Sequence, residues 1–166
     1  MFSGFYLNEL LLRLLPRQDP HPALFDVYTQ ALQTLSQAVG GQRESALRAF
    51  EFKLLQALGW LPQLSIDTET LQPLKLDQAY TLDPHRGLIA APATLSKMTG
   101  THWLQLQAAL DQGGWAALHW VCSQSLADLK PALRPMLYHH LGPQPLRTRR
   151  ILVEVQSVMN SLLVSP

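Results

Sequence analysis

The chain has 166 residues, 47% of them apolar and 15% charged, and its formal net charge is +1. A chain with this much apolar content and almost no net charge is not intrinsically disordered, and its length suits one domain around one hydrophobic core. The lone Cys122 excludes an internal disulfide and a zinc site built from cysteines, and no apolar run approaches the roughly eighteen residues of a membrane span.

The first predicted helix, residues 5–15, is apolar on almost every side. Its consecutive leucines cannot all face one core, so we expect this helix to be central or covered from two sides. Polar residues interrupt the apolar run, which argues against a signal peptide. A second helix follows, with Asp19 or His21 as its cap and a proline in its first turn, and Gly40 and Gly41 end it.

The third predicted helix, residues 44–58, has one apolar stripe formed by Leu47, Phe50, Leu54 and Leu58. Arg48 and Phe52 lie off that stripe, and their spacing of four places both on one side of the helix. An arginine beside an exposed aromatic ring suits the terminal carboxylate of a peptide and its apolar last side chain. The alternative is a surface ion pair between Arg48 and Glu51.

Helical periodicity disappears over residues 61–93, where prolines interrupt the chain and two short strands flank a turn at residues 83–87. Helical patterns return at residues 95–110 and 115–141. Pro131 and Pro135 must kink or restart the second of these.

A last helix is expected over residues 146–163. The fold class predicted by these patterns is mostly α. We expect a single helical domain, residues 1–166, of about six helices with a small irregular or β insert near residues 61–93.

Catalytic signatures are lacking in the sequence, which has no phosphate-binding loop, dinucleotide fingerprint, zinc-protease motif or nucleophile elbow. His139 and His140 diverge by about 100° on a helix, so they cannot chelate one ion together. Cys122 with His119 one turn earlier is a weak nucleophile–base pair, because a lone cysteine more often packs in a core. We expect no catalysis, no cofactor and no metal, with a hydrolase built on this pair as the least favoured alternative.

The C-terminal stretch is basic, since five basic residues from Lys130 onward face only Glu154. Arg147, Arg149 and Arg150 open the last predicted helix, where cations are unfavourable for the helix alone. A phosphate or carboxylate bound there would explain them. Alternatively, their stems cover apolar surface, they pair with acids elsewhere, or they form an ordinary solvated face.

The chain contains, in this order, the stretches SGFYLNELLLRLL, DPHPALFDVYTQAL, LRAFEFKLLQALGW and LYHHLGPQPLRTRRIL. Their order and spacing, over about residues 2–151, resemble the C-terminal helical domain of the RecO family of bacterial DNA-repair and recombination mediators. The resemblance implies a cytoplasmic, nucleoid-associated, non-enzymatic protein that acts on single-stranded DNA. Its implied work is to anneal complementary strands and, with RecR, to help RecA load onto DNA coated by single-stranded-DNA-binding protein.

The resemblance also implies sites for partners. In the family, the acidic C-terminal tail of single-stranded-DNA-binding protein docks on the helical domain through the arginine and a following apolar residue of an L-R-x-F-E motif, and the matching positions here are Arg48 and Phe52. The candidate contacts with DNA or phosphate are Arg134, Arg147, Arg149 and Arg150. The alternative is a scaffold that holds RecR or a barrel domain and binds no tail.

Two family features have no counterpart in the sequence. The N-terminal oligonucleotide-binding β-barrel is absent, so we expect only weak binding of single-stranded DNA, because such barrels supply the groove and the stacking surface. The four cysteines that hold zinc in the insert of many members are also absent, so we expect the insert to bind no zinc.

Overall fold

The computed structural model describes residues 2–16, 18–148, 150, 151 and 154. Within these residues, the elements in chain order are α1 (Phe2–Leu14), α2 (Pro22–Gln37), α3 (Gln42–Ala57), β1 (Tyr80–Asp83), β2 (Gly87–Ala90), α4 (Gly100–Asp111), α5 (Gly114–Gln124) and α6 (Leu126–Leu141). The predicted mostly α fold with a small β insert is confirmed. No helix in the described part of the chain is long and apolar enough to cross a membrane.

Helix α3 lies at the centre of the fold, where it packs against α1, α2, α5 and α6. It therefore buries residues on every side, including Phe50, Glu51 and Phe52. The expectation that Phe52 is exposed is wrong, because a helix surrounded by neighbours has no solvent face at that position. Because buried residues lie on and off the apolar stripe of α3, the stripe alone does not show which residues are buried.

The helix ends follow proline and glycine signals. Helix α2 begins at Pro22, and of the two caps that the sequence left open, Asp19 and His21, it is His21 that occupies the N-cap position. After α3 and α6 the chain turns at Gly59 and Gly142, whose φ angles of 71° and 75° lie in the left-handed region that glycine adopts without strain. These glycines mark the ends of α3 and α6, whereas α2 ends at Gln37, before the predicted Gly40 and Gly41.

The predicted helix of residues 115–141 is two helices, because the chain breaks at Ser125, where φ is −137° and ψ is 35°. The helix does not restart at Pro131 or Pro135, both of which lie inside α6. Both prolines are exposed, so water can solvate the carbonyl groups that lose their N–H partners.

The insert forms the predicted hairpin, in which β1 and β2 pair antiparallel. The carboxylate of Asp83 fixes its turn by accepting hydrogen bonds from the backbone N–H groups of His85 and Arg86, at 2.8 and 2.9 Å. Tyr80 and Leu88 are buried in the same core as the helices. The insert is thus part of the domain core.

The chain after α6 returns to α1. Arg13 of α1 donates hydrogen bonds to the backbone carbonyl oxygens of Leu141 and Gln144, at 2.7 and 3.0 Å. Helical residues follow at positions 147, 148, 150, 151 and 154, at the start of the last predicted helix. The greater part of that helix lies outside the described residues.

Candidate functional site

A pocket of about 370 Å³ opens between α1, α3, α6 and the segment that follows α6. The lining residues are Ser3, Tyr6, Leu47, Arg48, Lys130, Arg134, Leu137, Tyr138, Leu141, Leu146 and Thr148. Three of these described residues are cations and none is acidic. A pocket with leucine walls and three positive charges suits a ligand that is both anionic and apolar. We call it the basic pocket.

Helix α6 contributes one continuous face to the basic pocket. Lys130, Arg134, Leu137, Tyr138 and Leu141 line it, at the spacing of three and four residues that places side chains on one side of a helix. The guanidinium carbon of Arg134 lies 5.3 Å from the centre of the Tyr138 ring, a cation–π contact. Lys130 and Arg134 are exposed at the mouth of the pocket.

Arg48 enters the pocket from the central helix α3, and only 11% of its side chain is exposed. Its Nη2 lies 2.9 Å from Oε1 of Glu51, which is fully buried. The same Oε1 accepts a hydrogen bond of 2.7 Å from the hydroxyl of Tyr6 in α1. The ion pair between Arg48 and Glu51 that the sequence suggested is therefore present, but it is buried and not at the surface. A buried carboxylate restrains the Arg48 side chain more strongly than an exposed one would.

The electrostatics of this group are set by burial. Burial raises the pKa of Glu51, although Arg48, the Tyr6 hydroxyl and Lys130 all act to lower it. Burial and the neighbouring Glu51 also raise the pKa of Tyr6 well above its usual value. Glu51 Oε2 is buried without a hydrogen-bond partner among the described residues. An ionised Glu51 therefore has one oxygen with two partners and one with none.

The structure brings together some of the predicted site residues and separates others. Arg48, expected to bind a peptide tail, and Arg134, expected to contact DNA, line the same pocket. Phe52 is fully buried and does not line it. Lys130 and Tyr6 were missed by the sequence analysis. The four-residue repeat from Lys130 to Arg134 to Tyr138 is the signal that could have identified the α6 face.

The beginning of the last helix already has an anion, supplied by α1. Glu9 accepts hydrogen bonds from the backbone N–H groups of Arg147 and Thr148, at 2.6 and 2.8 Å, and from the Thr148 hydroxyl at 2.7 Å. Burial raises the pKa of Glu9, but these hydrogen bonds outweigh it and lower the pKa below its usual value. Two of the N–H groups that would favour an anion at this helix start, those of Arg147 and Thr148, are therefore satisfied within the protein.

The arginines of this segment differ in their surroundings. Arg147 is exposed and lines a second groove, between α1 and residues 144–148 and 151, which is also lined by the exposed Leu12. Arg150 lies 3.8 Å from Glu154, and both side chains are about two-thirds exposed. Arg149 lies outside the described residues. Neither Arg147 nor Arg150 lines the basic pocket.

Cys122 and His119, the least favoured alternative from the sequence, each have surroundings that suit a structural role. Cys122 is fully buried, and burial raises the pKa of its thiol, so the thiolate is disfavoured. His119 Nε2 instead lies 2.8 Å from Ser45 Oγ and 3.2 Å from the backbone oxygen of Gln42. The ring of His119 also stacks on that of Trp115.

The two adjacent histidines at the end of α6 make ring contacts. His140 stacks on Trp60, with 3.8 Å between ring centres, and His139 meets the ring of His85 from the hairpin turn edge-on at 4.6 Å. Across the residues that the structure describes, no three His, Cys, Asp or Glu side chains are grouped as metal ligands would be.

Comparison with known proteins gives one family. The family described as "Recombination protein O C terminal" matches residues 1–150. Similar curated proteins are each named DNA repair protein RecO. They include those of Verminephrobacter eiseniae, 47% identical over 163 residues, Albidiferax ferrireducens, 44% over 160, and Polaromonas sp. JS666, 40% over 160. The matched region is 95% of this chain but only 63%, 64% and 64% of those relatives.

Proposed function

The chain belongs to the RecO C-terminal family, and from this membership we propose that it is a non-enzymatic mediator domain of DNA repair and recombination. In this proposal the basic pocket binds the acidic C-terminal tail of single-stranded-DNA-binding protein. The domain would then help RecA load, and help complementary strands anneal, on DNA coated by that protein, together with RecR.

The observation that carries the proposal is the combination of charges and apolar walls in one pocket. An acidic peptide tail presents aspartates, a terminal carboxylate and an apolar last residue. Arg48 is partly buried and held by Glu51, which suits the terminal carboxylate, while Leu137 and Leu141 suit an apolar side chain. Lys130 and Arg134 at the mouth suit the acidic residues upstream.

Contacts with DNA form a second part of the proposal. The exposed Arg147 and Arg150 are candidates for phosphate contacts outside the basic pocket. Arg149, which lies outside the described residues, stays a candidate from the sequence alone. Because Arg134 lines the pocket, we assign it to the tail rather than to DNA. Binding of single-stranded DNA by this domain alone should be weak, since few phosphates are contacted.

The proposal is tested by fluorescence anisotropy with an acidic peptide that ends in an aliphatic residue, a proline and a phenylalanine. Micromolar, salt-sensitive binding is expected, because the contacts are electrostatic. Lys130→Ala and Arg134→Ala should each weaken binding by about 1 kcal/mol. Lys97→Ala, which removes an exposed lysine outside the pocket, is the matched control and should leave the affinity unchanged.

The role of Arg48 needs a variant that keeps a positive charge beside the buried Glu51. Arg48→Lys does so but loses the planar fork that pairs with a carboxylate. Arg48→Ala should weaken binding by ~1.5–3 kcal/mol, and Arg48→Lys by less. A peptide with an amidated C-terminus should bind the wild type weakly as well. Wild-type affinity in both Arg48 variants would contradict this site.

The exposed apolar face of α1 favours a second candidate function, a scaffold that holds RecR or a barrel domain. Phe5 and Leu12 are 57% and 85% exposed, and Ile151 lies in the same groove at 45%. Contacts between such surfaces are apolar, so a RecR complex insensitive to salt, with no binding of the acidic peptide, would favour the scaffold.

A further inference from the structure

Glu51 does not line the basic pocket but lies behind it, in contact with the lining residues Arg48 and Tyr6. It is fully buried, its Oε1 meets Arg48 Nη2 and the Tyr6 hydroxyl, and its Oε2 has no hydrogen-bond partner among the described residues. A carboxylate in this position partly neutralises the guanidinium that the proposed ligand would need. Glu51 and a carboxylate ligand would therefore share one cation, Arg48.

The groups that face Glu51 come from four helices. Tyr6 lies on α1, Arg48 on α3, Cys122 on α5 and Lys130 on α6, and Tyr6 in turn interacts with Tyr138 of α6. Tyrosine, arginine and lysine side chains ordinarily keep their protons between about pH 5 and 8, and burial raises the pKa of the Cys122 thiol further. None of the residues described as lining the pocket is a histidine.

We propose that Glu51 is a positioning residue that couples binding of a carboxylate ligand in the basic pocket to the uptake of a proton. In the free protein, Glu51 holds Arg48 at the pocket. When the ligand carboxylate contacts Arg48, Glu51 takes up a proton on its carboxyl group. The Arg48 guanidinium then pairs with the ligand carboxylate. This inference rests on the proposed function, whose ligand is an acidic peptide tail.

The direction of the coupling follows from the charges. A second carboxylate near Glu51 disfavours its ionised form, and burial has already raised the pKa of Glu51 in the free protein. Binding of the ligand therefore raises the pKa of Glu51 further. At pH values between the pKa of Glu51 in the free protein and its pKa in the complex, the complex binds more protons than the free protein. Affinity for the peptide rises as the pH falls through this window, by at most about tenfold per pH unit for one proton.

The experiment is isothermal titration calorimetry of the full chain with the acidic peptide, in buffers of different ionisation enthalpy, from about pH 5.5 to 8. The carboxylates of the peptide stay ionised over this range. The expected result is uptake of a fraction of one proton per peptide bound, with an affinity that rises on acidification. This measurement on the wild type needs no substitution.

Glu51→Gln is the informative variant. Glutamine can still accept the Tyr6 hydrogen bond, but it has no charge and cannot take up the proton. Proton uptake should disappear, the pH profile should flatten, and the affinity at neutral pH should equal or exceed that of the wild type. A residue with a merely structural role would lower the affinity at every pH instead. Thermal unfolding verifies that the variant is folded.

Each possible result of the calorimetry either supports or overturns the inference. Binding by the wild type without proton uptake overturns this inference alone, and so does proton uptake that persists in folded Glu51→Gln. The absence of any peptide binding by the wild type overturns the proposed function, and this inference with it. Uptake that is present in the wild type and lost in the variant supports both.

Discussion

At the scale of single residues, Glu51 and Phe52 are neighbours on α3 and are both fully buried, but burial has opposite effects on their free energies. Phe52 gains free energy from burial, whereas Glu51 is buried at a cost that its ion pair with Arg48 and its hydrogen bond from Tyr6 offset. Sequence reasoning proposed Arg48 as a site residue from its charge and spacing, and Arg48 lines the basic pocket. It did not predict that Glu51 is buried, because burial of a charge depends on partners from other helices.

Phe52 should act through stability and not through binding. Phe52→Ala is expected to lower the free energy of unfolding by about 3–5 kcal/mol, because it leaves a cavity in the core. Phe52→Leu should cost less, about 1–1.5 kcal/mol. Urea unfolding measures both, and Phe25→Ala, at a position 67% exposed, is the matched control with little expected effect. A large loss of peptide affinity in folded Phe52→Leu would contradict this assignment.

At the scale of elements, the sequence predicted the helices and the hairpin wherever their signals are local. Proline at the start of α2, glycine after α3 and α6, and the turn of the hairpin were all visible. The boundary at Ser125 and the burial of α3 on every side were not visible. The burial of α3 depends on packing between segments that are distant in sequence. The basic pocket has the same origin, since three helices form it.

Replacing either of two helical glycines, Gly4 or Gly100, by alanine should change the stability of the protein, and in opposite directions. A Cβ on Gly4 of α1 would lie 3.6 Å from the Leu32 side chain, an ordinary contact. Gly4→Ala should therefore stabilise the protein by about 0.5–1 kcal/mol, since glycine is a poor helix former. A Cβ on Gly100 would lie 2.3 Å from the backbone oxygen of Lys75.

Gly100→Ala forces α4 away from the insert and should destabilise the protein by about 1–3 kcal/mol. The midpoints of thermal unfolding of the two variants should thus move in opposite directions from that of the wild type. A Gly100→Ala protein as stable as the wild type would show that the insert yields without cost, contrary to its place in the core.

At the scale of the whole molecule, two titratable groups, the buried Glu51 and the partly buried His140, act in opposite senses on stability. Burial raises the pKa of Glu51 in the folded state above its pKa in the unfolded state. Between these two pKa values the folded state binds more protons, so stability falls as the pH rises from the lower to the higher one. Burial and the nearby His139 lower the pKa of His140, so stability falls as the pH drops below about 6.5. The dependence of stability on pH is the sum of the two.

Substitutions should separate these contributions. In Glu51→Gln, the free energy of unfolding should rise more steeply with pH between about 5 and 7 than in the wild type. In His140→Gln it should rise less steeply. Urea unfolding at a series of pH values measures both slopes. Equal slopes in all three proteins would show that neither group differs in pKa between the folded and unfolded states.

The bonds from α1 to the segment after α6 have a consequence for the order of assembly on the ribosome. Arg13 and the backbone oxygen that it binds in Leu141 are 128 positions apart, so α1 is synthesised long before its partner. A nascent chain can pack α1 on α2 and α3 early. It cannot close the basic pocket until α6 and the residues after it have emerged. An unfinished chain can therefore have part of the core and still lack the basic pocket.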